Sequence, residues 1–136
     1  MQLKESQIST AEVENSSGQG KSAIVPDEIR GWNWGASLFG WIWAIGNNKY
    51  DMAAYGLAVA IFSFVLGPLG WLAQLVIAII LGVKGNKWAW QSKKWNSIEH
   101  FRKTQKTWTR WGIVASILDF ILLLWVGIAE FGIWHV

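Results

Sequence analysis

The sequence predicts an all-α integral membrane protein, and three observations predict it. Residues 52–83 are 32 consecutive positions without a formal charge, and residues 111–134 are 24 positions with only two acidic side chains. Apolar runs of this length are typical of helices that cross a bilayer. The third observation is the 12 tryptophans among 136 residues, because indole rings favour the boundary between lipid and water. The absence of cysteine excludes disulfides and thiolate metal sites.

Residues 1–30 are predicted to be a disordered polar tail that precedes a membrane-embedded helical domain, residues 31–136. Positions 12–22 read EVENSSGQGKS and offer almost no apolar surface whose burial could offset the entropy lost on ordering. The tail also lacks the apolar core of a secretory signal. Two roles stay open for it, a solvated leader and a docking segment for a soluble partner.

Residues 31–50, GWNWGASLFGWIWAIGNNKY, predict a short aromatic helix. The 12 uncharged residues from Gly35 to Gly46 would extend about 18 Å, which is too short to cross about 30 Å of hydrocarbon. We expect this helix to lie at the membrane interface or to re-enter the membrane. A helix packed within the protein core is the alternative.

The uncharged run that follows is predicted to be a hairpin of two transmembrane helices, residues 51–66 and 68–83. Gly67 and Pro68 mark the break, because glycine is common just after a helix ends and proline in the first turn of the next. Each helix would be about 25 Å long, so the pair needs a thin bilayer or interfacial anchors. A single kinked span is the alternative.

Residues 84–110 carry eight lysines and arginines against one acidic residue, a bias that predicts a cytoplasmic location. Beyond a bend expected at residues 95–97, apolar and basic side chains fall on opposite faces of a basic amphipathic helix. Nucleic acid could bind such a segment, but its position between membrane helices favours lipid, and no nucleic acid is expected. The side chains assigned to anionic lipid or a partner are Lys93, Lys94, Arg102, Lys103, Lys106 and Arg110.

Residues 111–134 are predicted to be the last span, and they contain two intramembrane acids, Asp119 and Glu130. A carboxylate at the bilayer centre costs about 2.5–3.5 kcal/mol on insertion scales. The two acids are 11 residues apart, nearly three turns, and therefore share one face. One interpretation is a proton or cation relay, and the other is a protonated or hydrogen-bonded carboxyl that orients helix packing. Gln74 is expected to form an interhelical hydrogen bond.

The tryptophans are assigned to the membrane interface or to a partner, because they lie at predicted span ends, in the short aromatic helix or along the basic segment. No nucleotide-binding, hydrolase or metal-ligand motif occurs, so we predict no enzyme, no catalytic residue, no cofactor and no metal. The assigned tryptophans are Trp32, Trp34, Trp41, Trp43, Trp88, Trp90, Trp95, Trp108 and Trp111.

Two stretches carry a resemblance to a known family. Residues 33–47 read N-W-G-A-x-x-x-G-W-I-W-x-I-G-N, and residues 81–108 read L-G-x-K-G-N-x-W-A-W-x-x-x-x-W-x-S-x-E-H-F-x-x-x-Q-x-x-W. Over residues 26–113 the chain resembles a family of small tryptophan-rich integral membrane proteins of unknown function from cyanobacteria and Gram-positive bacteria. The resemblance implies a bacterial inner (plasma) membrane protein, or a thylakoid protein in a cyanobacterium.

These patterns together predict a non-catalytic accessory or scaffold subunit, or an assembly factor. We expect it to pack against a larger membrane complex or anionic lipid, with the N-terminus and residues 84–110 in the cytoplasm; an oligomer is compatible with this. The alternative function is a small proton- or ion-coupled transport element that uses Asp119 and Glu130.

Overall fold

The computed structural model describes residues 15–134, and every regular element within this range is helical, which confirms the all-α part of the predicted fold. Two short 3-10 turns, Gly20–Ser22 and Asp27–Ile29, precede five α-helices. The helices are α1 (Trp34–Phe39), α2 (Trp41–Gly46), α3 (Tyr50–Leu66), α4 (Pro68–Ser92) and α5 (Ile98–Trp134).

Two of these helices, α4 and α5, are long and apolar enough to cross a membrane. The qualifying stretches contain 25 and 35 residues, and their most apolar 18-residue windows have mean hydropathies of 1.6 and 2.3, respectively. Only 22% and 6% of their most apolar windows are buried within the protein, whereas the core helix of a soluble protein is mostly buried. The third apolar helix, α3, has 17 residues and is shorter. The described residues therefore contain two candidate spans, fewer than the three that the sequence predicted.

Helices α3 and α4 form a tight hairpin whose break lies where the sequence predicted it. Helix α3 ends at Leu66, Gly67 adopts a φ of 57°, and Pro68 begins α4. A positive φ is readily accessible only to glycine. Gly70 packs directly against the backbone of Ser63, so the two helices approach closely beside the turn.

The aromatic segment predicted as one helix forms two short helices, α1 and α2. The Asn33 side chain caps α1 by accepting a hydrogen bond of 2.8 Å from the Ala36 backbone N–H. Gly40 then separates the helices with a φ of 56°. Helix α1 packs against both α4 and α5, and α2 packs against α3.

The basic segment 84–110 is not one helix. Helix α4 continues through Lys84 and Lys87 to Ser92, because lysine favours helix and does not stop it. Residues 93–97 then form the bend, and α5 runs without interruption from its basic half into its apolar half. Between residues 110 and 111 the composition therefore changes from basic to apolar while the helix continues.

Residues 15–30 pack against the protein, so the predicted disorder is wrong for this part of the tail. Asn15 Nδ2 donates to the Trp95 carbonyl at 2.8 Å, the Trp95 N–H donates to Ser17 Oγ at 2.8 Å, and Gly18 N–H donates to the Trp90 carbonyl at 2.9 Å. Short polar side chains and backbone groups of residues 15–18 thus hold this segment in place, together with the buried side chains of Ala23 and Ile29. Residues 1–14 of the predicted tail lie outside the described residues.

Candidate functional site

Four amide side chains and one indole meet where α1, α2, α4 and α5 converge, and we call this group the amide centre (Asn33, Trp43, Asn47, Asn86 and Gln105). Gln105 is 7% exposed and bonds to three of the other four members. Its Oε1 accepts from Asn33 Nδ2 and from Trp43 Nε1, both at 2.9 Å, and its Nε2 donates to Asn47 Oδ1 at 2.8 Å. Asn33 Nδ2 also donates to Asn86 Oδ1 at 2.7 Å. Within the described residues no buried side-chain nitrogen or oxygen lacks a partner.

The amide centre joins the two ends of the α1–α2 pair. Asn33 precedes α1 and Asn47 follows α2, yet both bond to Gln105 on α5. The turn around Gly40 lies between these ends and shares a groove with residues 74–78 of α4. The pair therefore leaves the amide centre and returns to it.

Three tryptophans assigned to the interface, Trp43, Trp90 and Trp95, are core residues with exposures of 0%, 0% and 1%. Besides Trp43, which bonds to Gln105, Trp90 Nε1 donates to the Ile24 carbonyl at 3.0 Å and Trp95 Nε1 donates to the Ala89 carbonyl at 2.9 Å. An indole whose N–H has a partner is a favourable core residue. Because these side chains are buried, the prediction that they contact lipid or a partner is wrong.

Three further tryptophans are half-buried against small residues or lysines. Trp108 covers Gly35, where an added Cβ would lie 2.6 Å from the Trp108 Cβ, and Trp41 covers Gly56 with a corresponding distance of 3.0 Å. The third is Trp88, which has two lysine ammonium groups over its ring at 5.1 and 5.6 Å. The assigned tryptophans with the largest exposed surface are Trp32, Trp34 and Trp111.

The six basic side chains divide into two groups. Lys93 Nζ donates to the Gly46 carbonyl at 3.1 Å, Lys94 Nζ to the Asn15 carbonyl at 3.0 Å, and Arg102 Nη2 to the Glu28 carbonyl at 2.7 Å. These three bonds stabilise the packing of the chain itself. The exposed cations whose side chains bond to no described residue are Lys103, Lys106 and Arg110.

Two grooves adjoin along α5. The basic groove, of about 630 Å³, lies between residues 28–33 and α5, and Asn33, Asn86 and Gln105 of the amide centre line it. The apolar groove, of about 490 Å³, lies between α1 and α5. The charged side chains of the basic groove are Glu28, Arg30, Arg102, Lys106 and Arg110. The apolar groove is lined by Trp34, Leu38, Ile113, Ser116, Ile117 and Phe120.

The structure does not bring Asp119 and Glu130 together with a partner. Both are exposed, neither forms an ion pair with a described residue, and neither lines the two grooves. The nearby Ser116 hydroxyl donates to the Gly112 carbonyl of its own helix at 2.8 Å. Residues 15–134 contain no group of three histidine, aspartate or glutamate side chains that could hold a metal ion.

Sequence reasoning missed the amide centre, although a signal for it was present. Asn33, Asn47, Asn86 and Gln105 all lie within the two stretches that carry the family resemblance. Each is a polar side chain among tryptophans and glycines, and buried amides require partners. Four such amides in apolar surroundings indicate that they bond to one another.

No protein-family model, no curated protein and no solved structure matches this chain. The resemblance to the tryptophan-rich membrane family therefore stays a prediction.

Proposed function

We propose that this chain is a non-catalytic integral membrane protein that acts as an accessory or assembly subunit of a larger membrane complex. One observation carries the proposal, the uncovered apolar surface of α5. Trp111, Leu118 and Trp125 lie on one face of this helix with exposures of 62%, 60% and 69%. A contiguous apolar surface of this kind requires lipid or protein to cover it.

The lengths of the helices favour a protein partner in addition to lipid. From Lys84 to Pro68, α4 extends about 24 Å, whereas α5 extends about 36 Å from Arg110 to Trp134. With about 30 Å of hydrocarbon to cross, α5 crosses completely and the hairpin of α3 and α4 does so only in a thinned bilayer. The C-terminal end of α5 then extends beyond the α3–α4 hairpin and contacts no other helix of the described chain. A helix of another protein could pack there.

The amide centre supports a scaffold function. Its amide groups bond to one another, and amide side chains carry no charge near neutral pH. We infer that the centre fixes the positions of α1, α2, α4 and α5, so that the surfaces of these helices keep one shape for a partner. The excess of basic residues between 84 and 110 supports a cytoplasmic location for this end of the protein, and the proposed membrane is the bacterial plasma membrane or a thylakoid membrane.

A photo-cross-linking scan along residues 113–128 in native membranes tests the proposal. We expect cross-links to one protein, with maxima at Leu118, Ile121 and Trp125, because these positions share the outer face of α5. A probe at Lys103, on the exposed basic half, is the matched control. Equal yields at all positions, or adducts with lipid alone, would contradict an accessory role.

A further inference from the structure

The basic groove and the apolar groove are two parts of one surface. Along α5 the lining residues follow each other at spacings of three or four, which places them on one face of the helix. On the opposite wall, Trp32 lines the basic groove and Trp34 lines the apolar groove, and their rings meet edge to face at 5.4 Å. The residues of this stripe on α5 are Arg102, Lys106, Thr109, Ile113, Ile117 and Phe120.

The charge of the basic groove selects an anion. Four cationic side chains and one acidic side chain line it. Arg30 is paired with Asp27 at 2.9 Å, and Arg102 donates to the Glu28 carbonyl at 2.7 Å. Lys106 and Arg110 have no partner among the described residues, so their charges are available to a ligand.

The apolar continuation of the basic groove favours a lipid over a soluble anion as the ligand. Arg110 lines the basic groove beside the stripe, and from Arg110 to Phe120 the helix rises about 15 Å. This rise equals the depth of one leaflet of a bilayer with about 30 Å of hydrocarbon. A free phosphate would occupy the basic groove and leave the apolar groove empty. A phospholipid occupies both, since its phosphate lies beside the cations and an acyl chain follows the stripe inward.

We propose that one anionic phospholipid binds along this stripe, with its headgroup at Lys106 and Arg110 and an acyl chain between α1 and α5. The inference rests on the proposed membrane location and is independent of any protein partner. Bound there, the lipid contacts the open side of the amide centre through Asn33 and Gln105, which line the same groove.

Native mass spectrometry of the full chain in mild detergent, with defined lipids added, tests the proposal. We expect one phosphatidylglycerol to be retained per chain and phosphatidylcholine to be lost. The double variant Lys106→Gln/Arg110→Gln should bind phosphatidylglycerol about thirtyfold more weakly, which converts to about 2 kcal/mol. The matched control Lys87→Gln/Lys103→Gln removes two exposed charges outside both grooves and should bind as the wild type does.

The acyl chain is tested separately by lipid length and by filling the apolar groove. Dioleoyl phosphatidylglycerol should bind more tightly than the dihexanoyl form, and Ser116→Phe should abolish this difference. Circular dichroism establishes that each variant keeps its helices; if the double variant does not, the length comparison and Ser116→Phe decide. Equal binding of long-chain lipid, short-chain lipid and inorganic phosphate would overturn the proposal, as would an equal loss in the control variant.

The outcome separates this proposal from the proposed function. A chain that stays in solution after detergent removal would contradict the membrane location. A chain that requires detergent but shows no preference for phosphatidylglycerol would overturn only the lipid site.

Discussion

Replacing Gln105 with leucine should unfold or strongly destabilise this protein. Gln105 is 7% exposed and forms three hydrogen bonds, to Asn33, Trp43 and Asn47. Leucine has a similar volume but no polar atom, so all three partners lose a bond inside the protein. A buried polar group left without a partner costs about 1–3 kcal/mol. Trp43 Nε1 and Asn47 Oδ1 are left without a partner, whereas Asn33 Nδ2 keeps its bond to Asn86. The expected loss is therefore about 2 kcal/mol or more, a large share of a typical stability of about 5–15 kcal/mol.

The assay is reversible denaturation in detergent, followed through tryptophan fluorescence, with Gln74→Leu as the matched control. Gln74 is half-buried in α4 and forms no hydrogen bond with a described residue, which differs from its expected interhelical bond. Its replacement should change the unfolding free energy by less than about 1 kcal/mol. Gln105→Glu adds a second comparison, because a carboxylate accepts from Asn33 and Trp43 but cannot donate to Asn47. A Gln105→Leu protein as stable as Gln74→Leu would refute the structural role of the amide centre.

Three further substitutions test other parts of the structure. Gly35→Ala should destabilise the protein, because the new Cβ would lie 2.6 Å from the Trp108 Cβ. Gly127→Ala is the control, since its Cβ would meet nothing within 4 Å. Equal melting temperatures of the two variants in thermal unfolding would contradict the packing of Trp108 on Gly35. Ser17→Ala should speed amide exchange at Trp95, whose N–H donates to the Ser17 hydroxyl at 2.8 Å, and unchanged exchange would argue against the packing of residues 15–30. Asp119→Asn should leave proton flux in liposomes unchanged, because Asp119 has no ion pair with a described residue. If the wild-type protein conducts protons and the variant does not, the result would support the transport alternative.

The sequence predicts helix boundaries correctly where the local residue types determine them. Gly67 and Pro68 end one helix and begin the next whatever surrounds them, and the structure breaks at these residues. The end of α4 was not readable, because Lys84 and Lys87 change the polarity of the helix without stopping it. Residues 15–30 were misread because their order comes from bonds to residues about 80 positions away, such as that of Asn15 to Trp95.

The tryptophans show why the candidate site was harder to predict than the fold. An indole suits both a wet membrane boundary and a core site that offers its N–H an acceptor. Only the tertiary structure separates Trp43, which donates to Gln105, from Trp111, which is 62% exposed. The acceptor for Trp43 lies 62 residues away, and no local periodicity records that distance.

Cysteine accessibility in membranes tests the central claim most directly, since the chain contains no cysteine of its own. Leu122→Cys on α5 and Lys103→Cys on its basic half are both exposed positions of the protein, and Leu122 is 57% exposed. If α5 lies in the bilayer, a water-soluble maleimide labels Lys103→Cys from the cytoplasmic side and leaves Leu122→Cys unlabelled until the membrane is dissolved. Equal labelling of the two cysteines in intact membranes would contradict the claim that α5 crosses the membrane.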